Sequence, residues 1–152
     1  MKVLDVCCGG EMFYFDKDNP ALTTMDIRSG TFVFCEGREI EINPDIIGDF
    51  RDIPFKDNSY DMVIFDPPHL KYAGYSGWQA TKYGVLDKKT WKDDIAKGFS
   101  ECFRVLRAPG TLIFKWNEQQ ISIKDVLGLV DRKPLFGNRR GKTIWLVFIK
   151  DK

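Results

Sequence analysis

The apolar positions of this chain fall into short runs of strand length, separated by polar stretches bearing glycine, proline and aspartate. Residues 3–8 (VLDVCC) form one such run, closed by Gly9 and Gly10, a pattern that predicts a buried strand. Residues 11–17 (EMFYFDK) have the composition of a short helix, which Asn19-Pro20 would stop. Residues 21–26 (ALTTMD) read as a second strand. Residues 31–42 differ: apolar and polar positions alternate with period two on either side of Glu36-Gly37, the signature of a β-hairpin. A crossover helix would ordinarily stand here, so the hairpin reads as an insertion. A short strand over 45–49, a turn over 54–59 and a strongly apolar strand over 60–65 (YDMVIF) follow. Residues 71–89 are rich in glycine and tyrosine and read as a long loop. Residues 90–106 carry the clearest helical period, with Ile95, Phe99, Cys102, Phe103 and Leu106 on one face. Thr90, with Asp93 three residues on, predicts a capping box. Pro109-Gly110 ends that unit. Residues 111–116 (TLIFKW) predict a strand, 122–130 a helix, and 133–136 and 143–150 two further strands.

Strands alternating with helices predict an α/β fold: a doubly wound, mostly parallel, Rossmann-like sheet with helices on both faces. The last two strands are joined by only six residues, 137–142, too few for a parallel crossover, so they form an antiparallel C-terminal pair. At 152 residues the chain reads as one domain, 1–152, with enough length for a core. Its 43% hydrophobic and 30% charged content is that of a soluble protein. No apolar run approaches about 18 residues, so no membrane span is expected. The N-terminus lacks the apolar segment of a signal peptide, which predicts a cytoplasmic protein. The four cysteines, at 7, 8, 35 and 102, contain no CxxC pair; they read as reduced thiols, and no metal is expected. A net charge of +1 neither demands nor excludes nucleic acid, so a basic binding surface must be local.

Ligands of doubly wound sheets bind at the carboxyl ends of the strands. Gly9 and Gly10 at the end of the first strand permit a sharp turn and a close approach to a ligand. Asp26 ends the second strand 21 residues after Asp5, near the spacing of about 20 residues at which an acidic group meets ribose hydroxyls. An ordinary glycine turn and a solvated carboxylate are the plain alternatives.

Taken in order, LDVCCGG, MDIR, GDFRDIPF, YDMVIFDPPH and ECFRVLRAPGTLIFKW resemble the class I S-adenosylmethionine-dependent methyltransferases, over nearly the whole chain. The tetrapeptide Asp66-Pro67-Pro68-His69 resembles the [DNS]-P-P-[YFWH] signature of amino-group methyltransferases, chiefly those acting on adenine N6. The resemblance implies S-adenosylmethionine as cofactor. Asp5, Cys7, Cys8 and Gly9 would line its methionine part and Asp26 would bind its ribose, with Ile27 beside it. Asp49 and Phe50 would meet its adenine, and Asp66 would border it. The first loop departs from the usual D-x-x-x-G-x-G spacing by ending early.

The chemistry of such a site follows from its residue types. A ring amino group is a poor nucleophile because its lone pair is conjugated, so the nitrogen must be held in line with the methyl donor. Acceptors for its hydrogens stabilise the charge that develops on nitrogen. Asp66 offers a carboxylate and Pro67 its main-chain carbonyl; Pro67 and Pro68 stiffen the loop. His69, the only histidine, stands where the signature has an aromatic. A plain rigid turn is the alternative reading.

In the loop that follows, Tyr72, Tyr75 and Trp78 interleave with lysines, a composition suited to stacked bases and phosphates in a lid; core aromatics are the alternative. Trp116 would border the pocket. Arg139, Arg140 and Lys142 form a basic cluster that is either substrate-facing or a solvated hairpin tip. The leading expectation is a methyltransferase acting on a nucleobase amino group, adenine N6 first, in DNA or RNA. The alternatives are a small-molecule or protein nitrogen as acceptor, or a cofactor-binding subunit needing a partner. No segment is large enough for a separate target-recognition domain, and a duplexed base must be flipped out. That points to a partner subunit, or to a substrate that is single-stranded or structured RNA.

Overall fold

The computed structural model describes residues 1–73 and 78–152, with the backbone alone at Phe34, Cys35 and Trp78. Seven strands form one sheet in the order β5-β2-β1-β6-β7-β9-β8. They are β1 (Val3–Asp5), β2 (Leu22–Asp26), β5 (Ile46–Ile47), β6 (Tyr60–Phe65), β7 (Leu106–Asn117), β8 (Phe136–Arg140) and β9 (Thr143–Lys150). The pairs from β5 to β7 are parallel. β9 runs antiparallel to both β7 and β8. From β1 the chain winds outward to β2 and β5 on one side and to β6 and β7 on the other. The strand order therefore reverses between β1 and β6, where doubly wound sheets place their ligands.

β3 (Gly30–Phe34) and β4 (Arg38–Ile42) form the expected hairpin, a separate two-stranded sheet with Phe32 opposite Ile40. It stands where a crossover helix would be and does a helix's work. Ile42 is fully buried, and Ile40 packs on Gly10 so closely that a Cβ there would lie 2.8 Å from Ile40 Cδ1.

The clearest helix is α2 (Trp91–Val105), whose buried face comprises Trp91, Ile95, Gly98, Phe99, Cys102 and Val105. Gly98 lets it approach the sheet: a Cβ would lie 2.5 Å from Phe65 Cζ and 2.7 Å from Phe50 Cδ2. Around this contact the core is aromatic. Phe65 meets Phe99 edge-on at 5.2 Å, and Phe99 meets Phe114 at 4.7 Å. Two shorter helices are α1 (Trp78–Tyr83), inside the segment expected to be all loop, and α3 (Ile123–Leu127), capped by Ser122, which accepts from Asp125 N at 3.1 Å.

Several elements depart from expectation. Residues 11–17 form turns instead of a helix. A seven-residue helix repays its nucleation poorly, and the aromatics there find tertiary partners instead. Tyr14 donates to Asp5, and Phe13 lies edge-on to Trp145 at 5.4 Å. The capping box does not form. Thr90 has αR backbone angles, and its hydroxyl donates to Asp94, while Asp87 Oδ1 accepts from Lys89 N and Thr90 N. β7 starts five residues early because Leu106 already pairs with Tyr60, with a shift in register before Met62–Thr111. β8 begins where the expected strand ended and runs through Arg139 and Arg140; the turn is only Gly141-Lys142, with Gly141 at φ 61°.

Candidate active site

A cavity of about 400 Å³ opens at the carboxyl ends of β1, β2, β5 and β6, at the reversal of strand order. Its walls are the loops that leave these strands: 6–10, 26–28, 48–51 and 66–69. Residues 82–87, from the end of α1 onward, line its other side, and Met12, Phe13, Ile40, Asp94 and Lys115 complete it.

The first loop is built from below. Asp5 is fully buried and accepts from Cys7 N at 3.1 Å and from the Tyr14 hydroxyl at 2.8 Å. It does not line the cavity, contrary to its expected place beside the cofactor; its oxygens are turned to the loop they hold. Burial raises its pKa from 3.8 to about 7, against the two hydrogen bonds. Gly9, at φ 50°, takes a backbone angle that disfavours other residues, and its N–H donates to Asp26 Oδ2 at 2.9 Å. Asp26 Oδ1 accepts from Arg28 N at 2.9 Å and Arg28 Nε at 3.3 Å. Asp26 thus takes three donors of the roughly four a carboxylate accommodates, and one acceptor position remains. Arg28 Nη1 also donates to Thr81 O, tying the α1 segment to the β2 loop. Cys7 and Cys8 line the cavity; burial pushes both thiols up, so they stay protonated. Ile27 lies at the rim, largely exposed.

After β5, Asp49 is held by Arg51, whose N, Nε and Nη2 donate to its two oxygens, with Nη2–Oδ2 at 2.6 Å. These bonds hold the Asp49 carboxyl below its usual range. The acceptor expected to meet adenine is therefore already satisfied within the chain. Phe50 lines the cavity with its ring 5.3 Å from that of Phe65.

The Asp66-Pro67-Pro68-His69 loop leaves β6 directly into the cavity. Asp66 Oδ2 forms an ion pair with Lys115 Nζ at 3.0 Å. Burial raises the Asp66 pKa, and the ammonium draws it back down. His69 is buried, 5.3 Å from the Tyr83 ring and 6.2 Å from that of Trp116. Burial, helped by Lys115, lowers its pKa to about 4, so the imidazole is neutral at pH 7.

The residues expected at the substrate scatter more widely. Tyr72 is exposed, with Lys88 Nζ 4.4 Å from its ring centroid, and its backbone is clasped by Gln120. Tyr75 and the Trp78 side chain lie outside the described residues. Trp116 does not border the cavity. It is a core residue, 1% exposed, stacked on Phe114, and its Nε1 donates to Ile121 O. Its β7 alternation, shared with Phe114 and Leu112, turns it inward. Arg139, paired with Glu118, and Arg140 and Lys142 lie outside the cavity. Register nonetheless places them at the cavity's edge of the sheet, since Arg140 lies opposite Thr143 and Thr143 opposite Asn117.

Sequence reading missed Lys115, Arg28 and Tyr14, whereas the 82–87 wall belongs to the 71–89 segment expected beside the substrate. Only Lys115 left a signal, as a charge inside an apolar strand.

Comparison with solved structures places this architecture. The PH0226 protein of Pyrococcus horikoshii superposes with a TM-score of 0.63 at 18% identity, over 97% of this chain and 81% of that one. A T. thermophilus 16S rRNA N2 G1207 methyltransferase, in complex with AdoMet and guanosine, gives 0.59 at 13% identity, over 100% of this chain and 35% of that one. The Burkholderia thailandensis 1,6-didemethyltoxoflavin-N1-methyltransferase, with S-adenosylhomocysteine and 1,6-didemethyltoxoflavin bound, gives 0.58 at 10% identity, over 99% and 71%. The fold is that of S-adenosylmethionine-dependent methyltransferases. No family model and no curated protein matches the chain. No helix among the described residues is long and apolar enough to cross a membrane, and none of their side chains cluster as a metal site.

Proposed function

We propose that the protein is an S-adenosylmethionine-dependent methyltransferase that methylates an exocyclic amino nitrogen of a nucleobase, adenine N6 first, in DNA or RNA. One observation carries this reading: the Asp66-Pro67-Pro68-His69 loop and the Gly9–Asp26 loop pair are walls of the same cavity at the reversal of strand order. The residues fit the cofactor. Asp26 keeps one acceptor position for a ribose hydroxyl, and Phe50 offers an aromatic face. The cofactor would supply an electrophilic methyl group on sulfur.

The chain's own task is to hold the acceptor nitrogen. Asp66 Oδ1 and the Pro67 carbonyl are the acceptors for its hydrogens, and they stabilise the positive charge that grows as nitrogen attacks. Neutral His69, beside the Tyr83 ring, borders that place without adding charge. Tyr72 between lysines, with Arg140 and Lys142 at the same sheet edge, supports a nucleic-acid strand as substrate. A partner subunit supplying target recognition accompanies this reading.

The test is transfer of labelled methyl from S-adenosylmethionine to DNA, RNA and protein pools, followed by nucleoside analysis. Label is expected in a methylated amino nucleobase. Asp66→Ala should cut turnover more than tenfold while leaving calorimetric cofactor affinity within a few-fold. Label in protein alone, or a variant retaining wild-type turnover, overturns the reading.

A further inference from the structure

Asp66 is not alone at the acceptor site. The β7 alternation turns Phe114 and Trp116 into the core and sends Lys115 to the opposite face. There it lies across from Trp145 on β9, and its Nζ stands 5.6 Å from the Trp145 ring centroid and 5.2 Å from that of Phe13. Phe13 and Trp145 are themselves in edge contact. This aromatic sleeve carries the ammonium to Asp66 Oδ2, 3.0 Å away, at the cavity wall. An ammonium has three N–H donors, and among the described residues Asp66 is the one hydrogen-bond partner shown for Lys115.

The pair consequently offers the cavity an acceptor, Asp66 Oδ1, beside a cationic donor, Lys115 Nζ. Its complement is an N–H beside an acceptor atom. Exocyclic amino groups flanked by a ring nitrogen have that edge; alkylammonium and guanidinium groups, which carry donors only, lack it. Lys115 also constrains the chemistry. A lone cation this close to the reacting nitrogen would oppose charge building there; the Asp66 carboxylate paired with it offsets that charge and leaves the N–H free to orient the substrate.

Resting on the proposed methyltransferase reading, we propose that Lys115 is a specificity-determining residue that hydrogen-bonds the ring nitrogen next to the amino group being methylated. A hydrogen bond from a charged donor carries a factor of roughly 10 to 100 in affinity.

Single-stranded oligonucleotides bearing adenine, 1-deazaadenine or 7-deazaadenine at one position keep the amino group and remove one flanking ring nitrogen each. Wild type should lose about 10- to 100-fold in kcat/KM on one of the two deaza substrates. Lys115→Met should treat that substrate and adenine alike, and Lys115→Arg, which keeps a donor, should retain discrimination. The readout is the coupling between protein and substrate changes, so any intrinsic change in amine reactivity cancels. Near-ultraviolet circular dichroism and cofactor titration establish that each variant is folded. If Lys115→Met does not fold, Lys115→Leu, which also lacks a donor, replaces it with the same expectation. Transfer to all three substrates with the same preference in wild type and variant overturns the role of Lys115 alone. Wild type that binds S-adenosylmethionine and methylates none of the three overturns the adenine reading, and this inference with it.

Discussion

Gly98→Ala tests whether the core and the cavity are mechanically joined. The new methyl would sit 2.5 Å from Phe65 Cζ and 2.7 Å from Phe50 Cδ2, whereas carbon atoms pack at about 3.5–4.0 Å. Something must move by about 1 Å. Phe65 has little room: it is fully buried and meets Phe99, Phe114 and Phe50. The helix must therefore back away from Phe65 toward Phe50, which is only partly buried and lines the cavity, and push that ring into the space proposed for the cofactor. Overpacking costs about 1–3 kcal/mol, and alanine returns about 1 kcal/mol through helix propensity. The net loss is therefore about 0–2 kcal/mol, a fall of up to roughly 8 °C in Tm for a chain of this size. Gly128→Ala serves as control. Its Cβ would meet Asp125 O at an ordinary 3.4 Å, so Tm should stay near wild type. Thermal unfolding reads the first effect, and calorimetric titration with S-adenosylmethionine reads the second as weaker binding. A Gly98→Ala protein as stable as wild type, with unchanged cofactor affinity, would refute the coupling.

Two further outcomes are expected. With Asp5 raised from 3.8 to about 7, the folded chain holds a proton that the unfolded chain releases between those values, so stability falls as pH rises through that window. Between pH 5 and pH 7 this amounts to about 2–3 kcal/mol. His69, lowered to about 4 by burial, acts in the opposite sense over the same range, so the test is a difference: by urea unfolding, wild type should lose about 2–3 kcal/mol relative to Asp5→Asn between about pH 5 and pH 8, and equal changes would remove Asp5 as its source. The combined replacement of Arg139, Arg140 and Lys142 by alanine should flatten the salt dependence of nucleic-acid binding. Because Arg139 is already paired with Glu118, the change in log–log slope should be nearer two contacts than three, roughly 1.4–1.8. An unchanged slope in filter-binding titrations would move the phosphate path elsewhere.

The sequence alone determined what depends on local pattern and on residues that force the backbone. The apolar run at 60–65 became β6 residue for residue, and period-two alternation around Glu36-Gly37 became the β3–β4 hairpin. The carboxylates at the ends of β2 and β6, with the glycines after β1, came to one cavity because parallel strands deliver their carboxyl ends to one edge. Tertiary structure decided the rest, where a side chain's partner is distant in sequence. Asp5 turned inward because Tyr14 reaches it, and residues 11–17 gave up a helix whose nucleation their tertiary contacts outweigh. Trp116 went to the core and Lys115 to the cavity by the parity of a single strand. A two-residue period marks which side chains share a face. Which face meets Asp66 is settled only when β7 takes its place between β6 and β9.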